Sequence, residues 1–136
     1  SFAEFRRLFT IPGVLWVNLQ VGEEQKRFQE VSDAERLFDT AGKLTDFAET
    51  AGVIANLDLV IAVDTAVAHL AGAMGKPTWL LVPYHPEWRW ELKREDCFWY
   101  PTMRLFRQTV RGDWSEVLQR VATALTEKVN LTERRE

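Results

Sequence analysis

Thr65 and His69 stand four residues apart, one helical turn, so a helix at that point carries both side chains on one face. They follow the apolar run 59–63 directly, and Asp64 or Thr65 supplies the oxygen that caps the helix. Where a buried strand meets a helix in this way, the free N–H groups of the first turn point outward from the carboxyl end of the sheet. Open α/β folds collect phosphates and other anions there. A hydroxyl and an imidazole beside that end suit a diphosphate. Each also has a plainer role, Thr65 as a cap and His69 as a packed residue on a helix of small side chains. Asp64 reads as a general base, as a ligand to a ribose hydroxyl, or as a second capping group. Glu23 and Glu24 follow Gly22 after another apolar run, on the same side of the sheet. A carboxylate there accepts both hydroxyls of a ribose, or merely favours a helix N-terminus.

A second group of chemically capable residues, Tyr84, His85, Trp88, Arg89 and Trp90, follows the apolar run 78–82. The rings can stack on a base or sugar, with Arg89 on phosphate, or they can fold over the sheet edge. Cys97 has no motif around it and reads as inert. No CxxC, HExxH or acidic metal cluster occurs, so no protein-held metal site is expected. GxGxxG and GxxxxGK[ST] are absent too, which disfavours the usual dinucleotide and P-loop modes.

The elements that must position these residues alternate along the chain. Residues 2–9 place apolar side chains at 2, 5, 8 and 9, the spacing of an amphipathic helix that Ile11-Pro12-Gly13 ends. Residues 14–19 read as a strand, 23–31 as a short polar helix, 37–39 as a weak strand and 44–56 as a helix burying Phe47, Ala51 and Ile54. The run 59–63, rich in β-branched residues, is a strand covered on both faces. The helix after it stops at Gly75 and Pro77. Residues 78–82 form another buried strand, 83–101 a long connection with a short helix near 88–95, and 103–107 an edge strand. Asp113 and Glu116 form a capping box before the stripe Val117, Leu118, Val121, Ala122 and Leu125. Residues 131–136 form a charged, frayed tail. Such alternation implies an α/β domain with a parallel sheet wrapped by helices.

Size and composition narrow the classes. At 136 residues the chain is expected to form one domain, residues 1–130, with a single core. Its 46% hydrophobic and 27% charged content excludes disorder, and a net charge of -3 supplies no global field for nucleic acid. No apolar run approaches the roughly 20 residues of a membrane span, and the first residues do not read as a signal peptide. The single cysteine excludes an internal disulfide and fits a reducing compartment, so a cytoplasmic location is expected. Ser1 in place of an initiator Met leads us to expect a processed chain or a piece of a larger protein.

The order of these features resembles the C-terminal, donor-binding half of a GT-B glycosyltransferase of the heptosyltransferase-like family 9. The version attached to tetratricopeptide-repeat proteins is the most similar. The resemblance is carried by LTDFAETA at 44–51, the block DLVIAVDTAVAHLAGAMGKP at 58–77, WRW at 88–90 and WYPTMRLFRQ at 99–108. It covers nearly the whole chain. It implies a Rossmann-like three-layer fold with helices on both faces of a parallel sheet. It also implies inverting sugar transfer from a nucleotide-diphosphate donor without a protein-bound cofactor. In such a domain Asp64, Thr65, Ala66 and His69 contact the donor diphosphate, and Glu24 contacts its ribose.

There are departures from the family pattern. Ala66 stands where the family commonly has Gly, which narrows the approach of a phosphate. The N-terminal half, with the acceptor site and the catalytic base, has no counterpart here, so the chain by itself is expected to be inactive and no catalytic residue is assigned. The domain's own first strand is also expected to be lacking. In a doubly wound sheet that strand is central, so its loss leaves two exposed strand edges and favours association, including between copies of the chain. Two other functions compete with donor binding: a degenerate transferase fold acting as a protein-interaction module, and an unrelated phosphate-binding α/β domain.

Overall fold

The computed structural model describes residues 5, 8–19, 37–39, 47–63, 65–84 and 100–135. Its elements run β1 (Trp16–Asn18), β2 (Leu37–Asp39), α1 (Phe47–Ala55), β3 (Val60–Val63), α2 (Ala66–Ala73), β4 (Thr78–Val82), β5 (Met103–Arg107) and α3 (Trp114–Arg135). The three-stranded sheet β3-β4-β5 is parallel and flanked by helices, a Rossmann-like α/β arrangement. The chain divides into two compact units, Thr45–Asp113 and the remainder formed by Ser1–Leu44 with Trp114–Glu136.

In the first unit the strand order is β3-β4-β5, parallel throughout. Val60 pairs with Thr78 and Val63 with Leu81, while Thr78 pairs with Met103 and Val82 with Arg107. Parallel neighbours need a crossover, and α2 supplies it between β3 and β4 while packing on both. The central strand Thr-Trp-Leu-Leu-Val is buried along its whole length, as a parallel strand covered on both faces must be. Leu80, Val82, Met103 and Leu105 form the core with Ala68 of α2, and Ala62 and Tyr100 pack against it. On the alternate positions Trp79 and Phe106 meet at 5.3 Å, and the Arg104 guanidinium lies 4.6 Å over the Phe106 ring. Burial on both faces explains why β5 departs from strict alternation, with Leu105 and Phe106 buried in succession. Along β3, burial gives way to exposure toward the carboxyl end, where Val63 is 44% exposed.

Helix α1 packs on α2. Asn56 ends it by donating from Nδ2 to the Gly52 carbonyl at 2.8 Å, and the Lys76 ammonium donates to the Ala55 carbonyl at 3.2 Å. That cation lies where the carboxyl end of a helix dipole favours positive charge.

In the second unit β1 and β2 form their own parallel pair, Trp16 opposite Leu37. Phe9, at the end of the expected N-terminal helix, packs edge-on against Trp16 at 5.1 Å beside the buried Leu8 and Ile11. The stripe Val117, Leu118, Val121 and Leu125 is buried in α3 as its spacing requires. Both Glu116 oxygens accept from Arg120, at 2.7 and 2.9 Å, one turn on. The helix continues to Arg135, through most of the segment expected to fray.

Among the described residues no strand of the β1-β2 pair bonds to a strand of β3-β4-β5. The expected helix at 23–31 and the connection at 85–99 lie outside the described residues.

Candidate functional site at the carboxyl end of the sheet

Strand β3 is a short apolar run with no turn residues inside it, so the chain leaves the sheet abruptly and enters α2 two residues later. Thr65 adopts an extended backbone (φ -139, ψ 170), which lets its hydroxyl turn back as the N-cap. Its Oγ1 accepts the Ala68 amide at a long 3.5 Å, and its carbonyl accepts the His69 amide at 3.2 Å. The Ala66 and Val67 amides belong to the first turn, where an α-helix offers no internal acceptor. Among the described residues no acidic side chain stands in that turn to answer the positive end of the helix dipole. An anion is the chemical complement of this end.

The other end of α2 is locked. Lys76 N–H donates to the Ala71 carbonyl and Gly75 N–H to the Gly72 carbonyl, both at 3.0 Å, a Schellman closure. Gly75 supplies the left-handed residue it requires, with φ 73. Thr78 Oγ1 then donates to the Lys76 carbonyl at 2.9 Å, fixing the entry into β4. The helix therefore holds its amino end in place from both the cap and the closure.

Thr65 and Ala66 are exposed and His69 is half-buried. Thr65 caps α2, Ala66 opens it and His69 lies one turn in. The plainer roles are also realised, since Thr65 does cap the helix and His69 does pack, against the Tyr100 ring at 5.8 Å. Asp64 and Glu24 lie outside the described residues, as do Glu23, His85, the 88–90 segment and Cys97.

Two residues that sequence reasoning passed over belong to the same end of the sheet. Gln108 follows β5 and is 7% exposed. Its amide N–H donates to the Val82 carbonyl and its Oε1 accepts the Tyr84 amide, both at 2.9 Å. This fixes the side-chain amide's orientation and leaves Nε2 buried with no hydrogen-bond partner among the described residues. Arg107 ends β5, and partial burial lowers its pKa from the ordinary arginine value, although it remains a cation. The available signal was positional: both residues leave a parallel strand at its carboxyl end.

Among the described residues no group of three or more His, Cys, Asp and Glu can hold a metal ion, and no helix is long and apolar enough to cross a membrane.

A parallel α/β unit presenting a capped helix end where its first strand exits is the Rossmann-like class found in GT-B transferases. The chain belongs to glycosyltransferase family 9, the heptosyltransferase family, whose model matches residues 13–95, more than half of its length. Among curated proteins it is similar to Protein FlbA of Caulobacter vibrioides, 36% identical over 118 residues covering 84% of this chain and 20% of that protein. The chain thus spans about a fifth of the length of the curated relative it matches. No solved structure matches it. Family membership associates the chain with glycosyl transfer.

Proposed function

We propose that this chain is the donor-binding half of a glycosyltransferase and holds the diphosphate of a nucleotide sugar at the amino end of α2. The observation that carries this reading is the Thr65-capped helix end, with no acidic side chain in the first turn of α2, within the span that matches the family. The Ala66 and Val67 amides and the Thr65 hydroxyl bind phosphate oxygens, and the positive helix end stabilises their charge. His69, one turn further, donates to the same diphosphate. Asp64 fixes the loop, and Glu24 receives the ribose hydroxyls.

In the transfer an acceptor hydroxyl attacks the anomeric carbon as the bond from that carbon to the phosphate oxygen breaks. Negative charge then develops on the departing nucleoside diphosphate. Groups already aimed at that charge lower the barrier without reorganising, which is the most productive use of a helix end in catalysis. The acceptor site and the base that takes the hydroxyl proton come from a second domain or from attached repeats, so this chain alone binds donor and transfers nothing.

Calorimetric titration with nucleoside diphosphates and their sugars tests the reading. Binding that Thr65→Ala and His69→Ala both weaken supports it. No binding at millimolar ligand would favour an interaction module, and equal binding of inorganic phosphate would favour a generic phosphate site.

A further inference from the structure

Tyr100 stands just ahead of β5, in a turn where its carbonyl accepts the Met103 amide at 3.0 Å. Its half-buried ring packs against the core and lies over Gly72 of α2. A Cβ added at Gly72 would meet Tyr100 Cγ at 2.8 Å and both Cδ atoms at 3.0 Å. These atoms are the base of the ring, not a flexible tip, so only glycine admits the ring at this depth. The same ring meets the His69 imidazole at 5.8 Å and an interplanar angle of 63°. His69 and Gly72 are three residues apart and share a helix face. One ring therefore sits in the notch made by Gly72 and abuts the imidazole.

We propose that Tyr100 is a positioning residue for His69, holding the imidazole toward the diphosphate at the amino end of α2, with Gly72 as the seat that makes this possible. The inference rests on the donor-site reading. The terminal torsion of a histidine is broad and is not fixed by the helix. An edge-to-face contact fixes it, and contacts of that kind shift a conformational equilibrium by roughly two- to tenfold. Tyr100 enters the site from the β4-β5 connection, so the imidazole's orientation is set by a different part of the chain from the one that bears it.

The test uses the full chain with histidine-labelled NMR and calorimetric titration of uridine, guanosine and adenosine diphosphates. Tyr100→Leu and Gly72→Ala should shift the His69 ring resonances and weaken the best-bound diphosphate by about two- to tenfold. Tyr100→Phe, which keeps the ring, should restore both. The double variant His69→Ala with Tyr100→Leu should bind no more weakly than His69→Ala. Gly72→Ala removes no polar group, so it reports the ring's displacement even if Tyr100→Leu folds poorly. Unchanged His69 resonances in Gly72→Ala and Tyr100→Leu, or additive losses in the double variant, would overturn the inference while leaving donor binding intact. Failure of the unaltered protein to bind any of the three diphosphates would instead overturn the donor-site reading and, with it, this role for Tyr100.

Discussion

Gln108 Oε1 accepts the Tyr84 amide at 2.9 Å, joining the exit of β5 to the exit of β4 through one buried side chain. The residues are 24 apart in sequence, so this bond ties the two strand exits together at the carboxyl end of the parallel sheet. Gln108→Ala removes the acceptor and leaves a void in a buried position. A loss of about 1–3 kcal/mol is expected by urea denaturation. Gln108→Glu keeps the acceptor but buries a charge, and should be no more stable than the alanine variant at neutral pH.

Gly75 and Gly52 should respond to alanine with opposite signs. Neither has a heavy atom within 4 Å of an added Cβ, so packing does not enter. Gly75 closes α2 at φ 73, where a side chain costs about 1–2 kcal/mol. Gly52 lies in the exposed interior of α1, where alanine gains about 0.5–1 kcal/mol of helix propensity. Thermal unfolding of the two variants side by side checks both signs.

Burial along the central strand predicts where the core is least tolerant. Leu80 is fully buried between β3 and β5, among Ala68, Val82, Met103 and Leu105. Leu80→Ala should cost about 2–5 kcal/mol. Val63, 44% exposed at the open end of β3, should cost less than about 1 kcal/mol as alanine. Chemical denaturation of the pair measures the difference.

The β3-α2-β4 segment was legible because each of its signals is local. Two apolar runs without turn residues, a Thr at the helix start and Gly75-Lys76-Pro77 at its end specify strand, helix and strand from neighbours alone. The β1-β2 pair was legible as elements, although β1 is shorter than the apolar run 14–19 implies. What the local pattern could not show depends on residues that meet only in the fold. Tyr100 over Gly72 and Gln108 under Tyr84 join positions on different elements. The one available hint was Gly72 itself, since a glycine inside a helix costs about 1 kcal/mol against alanine and calls for a packing reason. The edge strand expected at 103–107 is β5, which ends the β3-β4-β5 ladder, although Leu105 and Phe106 are buried in succession.

Thr65→Asp separates the two roles that Thr65 combines. Aspartate is as good a helix cap as threonine, and its charge suits the positive end of α2, so stability should stay within about 0.5 kcal/mol of the unaltered protein. Thr65→Ala, by contrast, removes the acceptor for the Ala68 amide and should cost about 1 kcal/mol. If the helix end binds a diphosphate, the order reverses for affinity. A carboxylate about 4 Å from a phosphate costs about 1 kcal/mol in water and about 4 kcal/mol in a partly screened site. Thr65→Asp should therefore weaken nucleoside diphosphate binding by at least about fivefold and by more than Thr65→Ala does, and the loss should shrink as salt is raised. Urea denaturation and calorimetric titration at two salt concentrations measure both orders. Equal loss of affinity in the two variants would reduce Thr65 to a cap and move the diphosphate elsewhere.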